Sequence, residues 1–455
     1  MNTYNEPARD LPVRAFDVIV AGAGTAGVPA AIAAARTGAK TAVVESKGYP
    51  GGIAVEGGTA LHSFYNLWKA FPGVEKRQVV HGIAHEIVQR LAREGGTSGH
   101  ADMTAGFDYD SVCTAIDPEI YKRVAFEMMS EAGVTVAVNT LLAGALVKGP
   151  ALDGVIVESR SGREAWLASA FVDCTGYGDL AAAAGAAYTE PNDYPVANSI
   201  GVGGVSMESY ETFLEQHGAV SERAIGQRSG TEGRLVRLNA RMGCLPVAFA
   251  AAARAIGMAP VTTTVHDGTF LFIKLNLKLS SSPTDRDVVA AAELELRQRQ
   301  ARAVELFREH VPGCEKAFIT RSSPSLCIRR GRLIDCDYDI SLPDVLEGRH
   351  FDDDIMVYGF HDSAPRLQIR NGGTYGIPYR SLLPTGLDNL LVTGMMITAN
   401  HDAHMSTRNT VCCMGQGQAA GTAAALCAQT ACTTRALPFP QLRQTLLAAD
   451  VYLEP

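Results

Sequence analysis

The stretch from Phe16 to Ser46, FDVIVAGAGTAGVPAAIAAARTGAKTAVVES, constrains the fold of this chain more than any other. FDVIVAG is a short β-branched apolar run and predicts a buried strand. GAGTAG then places Gly22, Gly24 and Gly27 in G-x-G-x-x-G spacing. A small-residue helix follows, stopped by Gly38, with Pro29 in its first turn where a missing N–H costs little. KTAVVE predicts the next strand and ends on Glu45. Each part has a physical task. Gly22 makes the tight turn, Gly24 lets backbone approach a pyrophosphate, and Gly27 lets helix pack on strand. The helix N-terminus offers N–H groups and partial positive charge to phosphate. Glu45 can accept hydrogen bonds from a ribose hydroxyl. A bare glycine triplet is often only a turn. Strand, glycines, helix, strand and acid in register predict a dinucleotide site.

KGYPGG follows Glu45, and its Gly51 and Gly52 can bring a second loop against the ligand. A nicotinamide site has less need of that, so FAD is the expected dinucleotide. A helix is expected near 80–94 and another over 118–133. Three strand-like runs come next, VTVAVNT, LDGVIVES and EAWLASAFVDC. The last leads into TGYGDLA, which can pose as a second nucleotide fingerprint. No strand ending in an acid follows it, so the turn is read as touching the same cofactor.

From about residue 200 the texture changes. TFLFIKLNLKL predicts a strand, and a long charged helix starts at Thr284 or Asp285 as cap. The dinucleotide-type pattern returns at YGIPYRSLLP and LDNLLVTG. The expected division is 14–200 and 366–435 for the nucleotide domain, 201–365 for an inserted substrate domain, and 436–455 for a C-terminal tail.

Composition excludes several classes. The chain of 455 residues is 47% hydrophobic and 19% charged, an ordinary globular balance. Its net charge of −8 and lack of a basic block argue against nucleic acid and anionic membranes as partners. The N-terminus lacks a signal-peptide core, and the most apolar run, 244–261, is interrupted by Arg254. Ten scattered cysteines show no CxxC pair, which fits a reduced cytoplasmic protein without an electron relay of its own.

The quoted fingerprint resembles that of the fumarate reductase/succinate dehydrogenase flavoprotein superfamily. So do FVDCTGYGDLAAAAGA, VPGCEKAF, YGIPYRSLLPTGLDNLLVTG and HDAHMSTRNTVCCMGQGQAAGTAAALCA. The stand-alone FAD-dependent oxidoreductases are most similar. The resemblance implies an α/β fold: a Rossmann-like FAD-binding domain with a parallel sheet, plus an inserted α+β cap domain. It implies that Gly22, Gly24, Gly27 and Glu45 hold the adenosine diphosphate of FAD, with Gly51 and Gly52 towards the flavin. Thr175 and Gly176 approach the cofactor from the last strand. Gly394, Met414, Gly415 and Gln416 approach the flavin. Arg329 and Arg332 match an arginine–glutamate–serine–arginine pattern, but Arg330 replaces the acid and Gly331 the serine, so no relative's substrate carries over. No histidine stands in the usual attachment register before Gly51, so the FAD is expected to be non-covalent.

NHDAHMSTRNT gathers His401, His404 and Arg408 ahead of the alanine- and glycine-rich helix. A metal site, a solvated loop and a substrate site are the three readings. For zinc, Cys412 and Cys413 fall on different helix faces, leaving Asp402 as the other nearby ligand. As a substrate site, the loop precedes a helix N-terminus that faces the flavin in relatives. Arg408 can then clamp a carboxylate or carbonyl, and His401 or His404 can move the accompanying proton. His62, Arg329, Arg332 and His361 are further substrate-site candidates. His266 and the tyrosines Tyr375 and Tyr379 read as structural.

The expected activity is hydride transfer between a small, carboxylated metabolite and flavin N5. Flavin-dependent reduction, monooxygenation and service as an electron-transfer subunit are the alternatives. The expected partners are a small-molecule substrate, with an electron acceptor or redox protein and self-association as further possibilities.

Overall fold

The computed structural model describes residues 4, 6–57, 61–63, 77–97, 113–227, 234–260, 262–264, 268–363 and 367–454. At its centre is a five-stranded sheet in the order Leu390–Val392, Ala170–Asp173, Val18–Ala21, Thr41–Val44, Thr135–Ala137. All its pairings are parallel. Val18 to Ala21 are fully buried, as the continuous apolar run requires of a strand covered on both faces. Helix Gly27–Arg36 follows the glycine turn and connects Val18–Ala21 to Thr41–Val44. The fold is α/β.

The run EAWLASAFVDC divides between two sheets. Gly162–Leu167 joins a sheet with Val13–Ala15, Ala151–Ser159 and Leu141–Lys148, while Ala170–Asp173 enters the parallel sheet. The short break at Ala168–Ser169 lets one apolar run serve both. The long helix is Arg286–His310, and its cap is Asp285, whose carboxylate accepts from the Asp287 and Val288 amides at 3.0 and 3.3 Å.

Two buried cores are present among the described residues. One draws on residues 16–186 and 334–453, the other on 196–328. The second is built on a four-stranded sheet, Met258–Ala259, Thr269–Leu277, Val196–Gly203 and Phe318–Ser322, backed by the long helix. Residues 340–360, which the sequence reading placed in the insert, contribute Ile340, Val345, Ile355 and Val357 to the first core. The cause is a strand pairing: Asp354–Tyr358 lies antiparallel to Tyr375–Pro378.

Helix Thr410–Thr430 packs on helix Gly27–Arg36. A Cβ on Gly417 would overlap the Ala26 carbonyl, and one on Gly421 the Ala30 carbonyl. Two glycines four apart thus meet two alanines four apart, and the backbones touch. The small residues of this helix serve helix–helix packing here rather than a direct approach to cofactor.

Candidate active site

A cleft of about 730 Å³ opens at the carboxyl ends of four neighbouring parallel strands. Gly22 follows Ala21, Glu45 follows Val44, Cys174 follows Asp173 and Thr393 follows Val392, and all four line it. In an open parallel sheet this is where ligands bind.

The sequence explains the shape of this end. Gly22 sits at φ +89°, and a Cβ there would lie 2.7 Å from the Cys174 carbonyl oxygen. A Cβ on Gly27 would overlap the Gly22 carbonyl, so helix and turn are pressed together. Gly24 is different. Its nearest neighbours to a Cβ are Gly52 Cα at 3.9 Å and the Cys174 oxygen at 4.0 Å, so that position has room within the protein and faces the cleft. Gly52 is pressed onto Gly24, with 2.9 Å from its Cβ position to Gly24 Cα, and also lines the cleft. Gly51 donates its N–H to the Ala23 carbonyl at 2.8 Å and holds the second loop in place.

Glu45 accepts from the Ala23 amide at 2.8 Å and the Lys47 amide at 2.9 Å. It therefore ties the two glycine loops as well as lining the cleft. Lys47, also in the lining, is ion-paired to buried Glu56. Thr175 and Gly176 form the opposite lip. Asp173 holds them: it accepts from Thr175 N at 2.9 Å, Thr175 Oγ1 at 2.7 Å and Ala181 N at 2.9 Å. Burial, opposed by these bonds, pushes its carboxyl up to about 6. TGYGDLA thus contributes to the same cleft as Gly22 and Gly24.

No side chain caps helix Gly27–Arg36, and no acid sits in its first turn. An anion there meets a helix N-terminus and an open glycine position, the two features a pyrophosphate requires. The residues present fit the adenosine diphosphate portion of FAD.

At the other end the sequence expectations need correction. Met414, Gly415 and Gln416 do not line the cleft; Asn409, Thr410 and Cys413 do. The helix begins at Thr410 and reaches the cleft with its first turn, Thr410 to Cys413, while Met414 to Gln416 belong to the next turn, deeper in the fold. Met414 is in the first core, and Gly415 abuts Met356. Gln416 is a staple: Oε1 accepts from Gly394 N at 2.9 Å, and Nε2 donates to the Thr407 carbonyl at 2.8 Å. It holds Gly394, which does line the cleft.

The candidate substrate residues separate as clearly. Arg408 lines the cleft, is ion-paired to Asp362, and lies over the Tyr194 ring at 5.4 Å. Arg329 lines it too, and its Nη1 is buried without a hydrogen-bond partner. His404 is fully buried, outside the lining, with Nε2 2.9 Å from the Met395 carbonyl. Burial, helped by the Arg408 and Arg330 charges, holds it well below the ordinary histidine range. A neutral, enclosed imidazole is a poor proton carrier, so His404 is structural. His401 is half-exposed beside Asp402 at 3.2 Å, its ring 6.1 Å from Tyr194, and it too is outside the lining.

His361 is buried, accepting from Ser363 N at 3.0 Å through Nδ1 and donating through Nε2 to the Asp402 carbonyl at 2.9 Å. It fixes the loop that presents Asp362 and does not line the cleft itself. Arg332 pairs with Asp179 at 2.7 Å, donates to the Tyr177 carbonyl at 3.1 Å, and lies outside the lining. Arg332 thus ties the loop after Tyr177 to its own segment instead of facing the cleft. Arg330 is buried and paired with Asp193 at 2.9 Å. His62 lies on strand Leu61–Ser63, but its side chain is outside the described residues, as is His266. Among the described residues, no group of three or more His, Cys, Asp or Glu side chains is placed to hold a metal ion.

Sequence reasoning missed Lys274. It lines the cleft with Phe272 from strand Thr269–Leu277. The strand's pairing with Val196–Gly203 slips between Ile200 and Val202. Phe270 is in the second core, as are Ile273 and Leu275, so the alternation changes phase across this irregularity. Phe272 and Lys274 are thereby aimed at the cleft. Among the described residues, three cations, Lys274, Arg329 and Arg408, share this end with the carboxylate of Asp362.

No curated protein matches the chain. Solved structures of similar fold include a geranylgeranyl bacteriochlorophyll reductase-like protein from Thermoplasma acidophilum (12% identity, 96% of this chain and 83% of that one, TM-score 0.47). Another is the p-nitrophenol 4-monooxygenase PnpA from Pseudomonas putida (12% identity, 97% and 90%, TM-score 0.44). A third is a flavoprotein/dehydrogenase from Cytophaga hutchinsonii (12% identity, 92% and 79%, TM-score 0.43). Nothing about the reaction follows from likenesses at this level. The family model for FAD dependent oxidoreductases matches residues 17–446, nearly the whole chain, and the protein belongs to that family.

Proposed function

We propose that this FAD-dependent oxidoreductase dehydrogenates a small, carboxylated metabolite held at the cationic end of the cleft. The observation that carries the reading is Arg329. Its Nη1 is a buried donor without a hydrogen-bond partner among the described residues, and, unlike the orphaned donors of Arg330 and Arg332, it belongs to a side chain that lines the cleft; an unpaired buried donor is costly. In a cleft it is a ready donor for a ligand anion, and Arg408 beside it adds a planar fork suited to a carboxylate. Bound FAD supplies a two-electron acceptor that takes hydride at N5.

The chain's own residues then bind and orient. Tyr194 and Phe272 supply apolar walls, and Asp362 holds the Arg408 fork through their ion pair. The insert, with Phe272, Lys274 and Leu326–Arg329, forms one wall of the cleft, and the parallel-sheet loops form the other. The sequence resemblance to the fumarate reductase/succinate dehydrogenase flavoproteins supports hydride transfer in such a cleft. The nine described cysteines are all unpaired, in keeping with a reducing, cytoplasmic setting. No described helix is long and apolar enough to cross a membrane.

The test is anaerobic titration of the FAD-loaded protein with carboxylated alcohols, amines and saturated acids, followed by the visible flavin spectrum. Bleaching by one of these classes is the expected result. Bleaching only by NADPH, or only with a partner protein, would instead indicate a reductase, a monooxygenase or an electron-transfer subunit. Acid precipitation of the same sample leaves the flavin in solution if, as we propose, its attachment is non-covalent.

A further inference from the structure

We propose that Lys274 is the proton acceptor of the reaction, taking the proton of a substrate hydroxyl or amine while Arg329 and Arg408 hold the substrate's carboxylate. The inference rests on the dehydrogenase reading and deepens it. The substrate class becomes a carboxylated alcohol or amine.

Four observations support it. The strand irregularity opposite Ile200–Val202 aims Lys274 into the cleft instead of towards solvent or core. Arg329 and Cys327 face it from the cleft-lining segment 326–329, Arg408 from the turn before helix Thr410–Thr430, and Asp362 from the loop held by His361. Among the described residues, no hydrogen bond or ion pair ties Lys274 Nζ to another side chain, whereas Lys47, also in the cleft lining, is paired with Glu56. Burial and the two arginine charges, partly offset by Asp362, push its ammonium down to about 7. A lysine poised there can exchange a proton near neutral pH, which an ordinary surface lysine cannot. The two histidines suggested by sequence are unsuited: one is enclosed and neutral, the other lies outside the cleft.

The step balances as follows. The substrate C–H bond breaks with its electron pair, and the hydrogen leaves as hydride to bound FAD, which is reduced by two electrons. The O–H or N–H bond breaks, its electron pair stays to form C=O or C=N, and its proton goes to the Lys274 Nζ lone pair. The substrate is oxidised by two electrons, and the resulting ammonium is deprotonated by solvent before the next turnover.

Two measurements test this. The first needs no variant and no turnover. Lysines of the FAD-loaded protein are reductively dimethylated with ¹³C-formaldehyde and a borane–amine reductant, the flavin is reoxidised in air, and the methyls are titrated by NMR. One resonance is expected to titrate near 7, well below the ordinary lysine value of about 10.4. It should vanish in Lys274→Gln and move to higher pH in Arg329→Gln. The second is anaerobic flavin reduction by whichever metabolite bleaches the wild type. The rate should rise with pH through about 7 in the wild type. Lys274→Gln and Lys274→Met should each be slower by roughly 10²–10⁴-fold and lack that rise. A Lys274 resonance titrating at the ordinary value overturns the proposal, and so does a variant that keeps the wild-type rate and pH limb. If no metabolite bleaches the wild type, the dehydrogenase reading itself fails, an outcome distinct from either Lys274 result.

Discussion

Gly24→Val separates cofactor binding from folding. Gly24 does not have a positive φ, so an L-residue adopts its backbone without strain. A Cβ there meets nothing closer than 3.9 Å. The apo protein should therefore lose little, with a melting temperature within about 1–2 °C of wild type, equivalent to roughly 1 kcal/mol for a chain of this size. The valine methyls instead project into the space that the pyrophosphate backbone contacts require. Each charged hydrogen bond contributes about 1.5–3 kcal/mol, so losing two costs about 3–6 kcal/mol. The FAD dissociation constant should rise by roughly 10²–10⁴-fold. Gly27→Ala is the contrast, because its Cβ overlaps the Gly22 carbonyl and must break the turn itself. The assay is flavin fluorescence quenching on apo protein, with calorimetric melting of the same samples. Gly24→Val with a wild-type dissociation constant refutes the cradle assignment. Gly24→Val with an apo protein as unstable as Gly27→Ala refutes the account of the space around it.

Gly421→Ala should lower apo stability by about 1–3 kcal/mol, because its methyl is driven into the Ala30 carbonyl; unchanged apo melting with weakened FAD binding would return this helix to a cofactor role. His404 predicts a pH dependence. Its folded-state pKa is depressed, so below about 6.5 the unfolded chain takes up a proton that the native chain refuses. Its contribution to stability is thus intact above about 6.5 and falls as pH drops below it, by at most about 1.4 kcal/mol per unit. Urea unfolding between about pH 5 and pH 8 should show that slope reduced in His404→Gln; identical slopes would mean His404 is protonated in the native state.

The glycine turn was legible because its constraints are local. Gly22, Gly24 and Gly27 act within one strand–turn–helix unit, and the acid that closes the unit, Glu45, ends the very next strand. Spacing alone therefore carries them. The small residues of Thr410–Thr430 were legible as close packing but not as to what they pack on. Gly417 and Gly421 would suit a cofactor or another helix equally, and only the fold places Ala26 and Ala30 opposite them. Of the adjacent pair His361 and Asp362, His361 turns inward and Asp362 reaches the cleft, a choice that local sequence does not make. Lys274 was hidden more deeply. In FIKLNL it alternates with Ile273, Leu275 and Leu277 and reads as one solvent-facing lysine among inward apolar residues. Its environment comes from Arg329, Asp362 and Arg408, all distant in sequence, and from a pairing irregularity set by another strand. No local pattern encodes that.

The central claim is that the cationic end of the cleft, and not the histidine pair, governs the chemistry. Rapid-mixing measurement of flavin reduction by the reactive metabolite tests it most directly, in Arg329→Gln, Arg408→Ala, Arg408→Lys and His401→Ala, each checked for full FAD content. Loss of a charged hydrogen bond of about 1.5–3 kcal/mol predicts a fall of one to two decades in efficiency for Arg329→Gln and Arg408→Ala. Arg408→Lys should recover only part, since it keeps the charge and loses the fork. His401→Ala should reduce at the wild-type rate. Wild-type rates in both arginine variants, with a large loss in His401→Ala, would contradict the account.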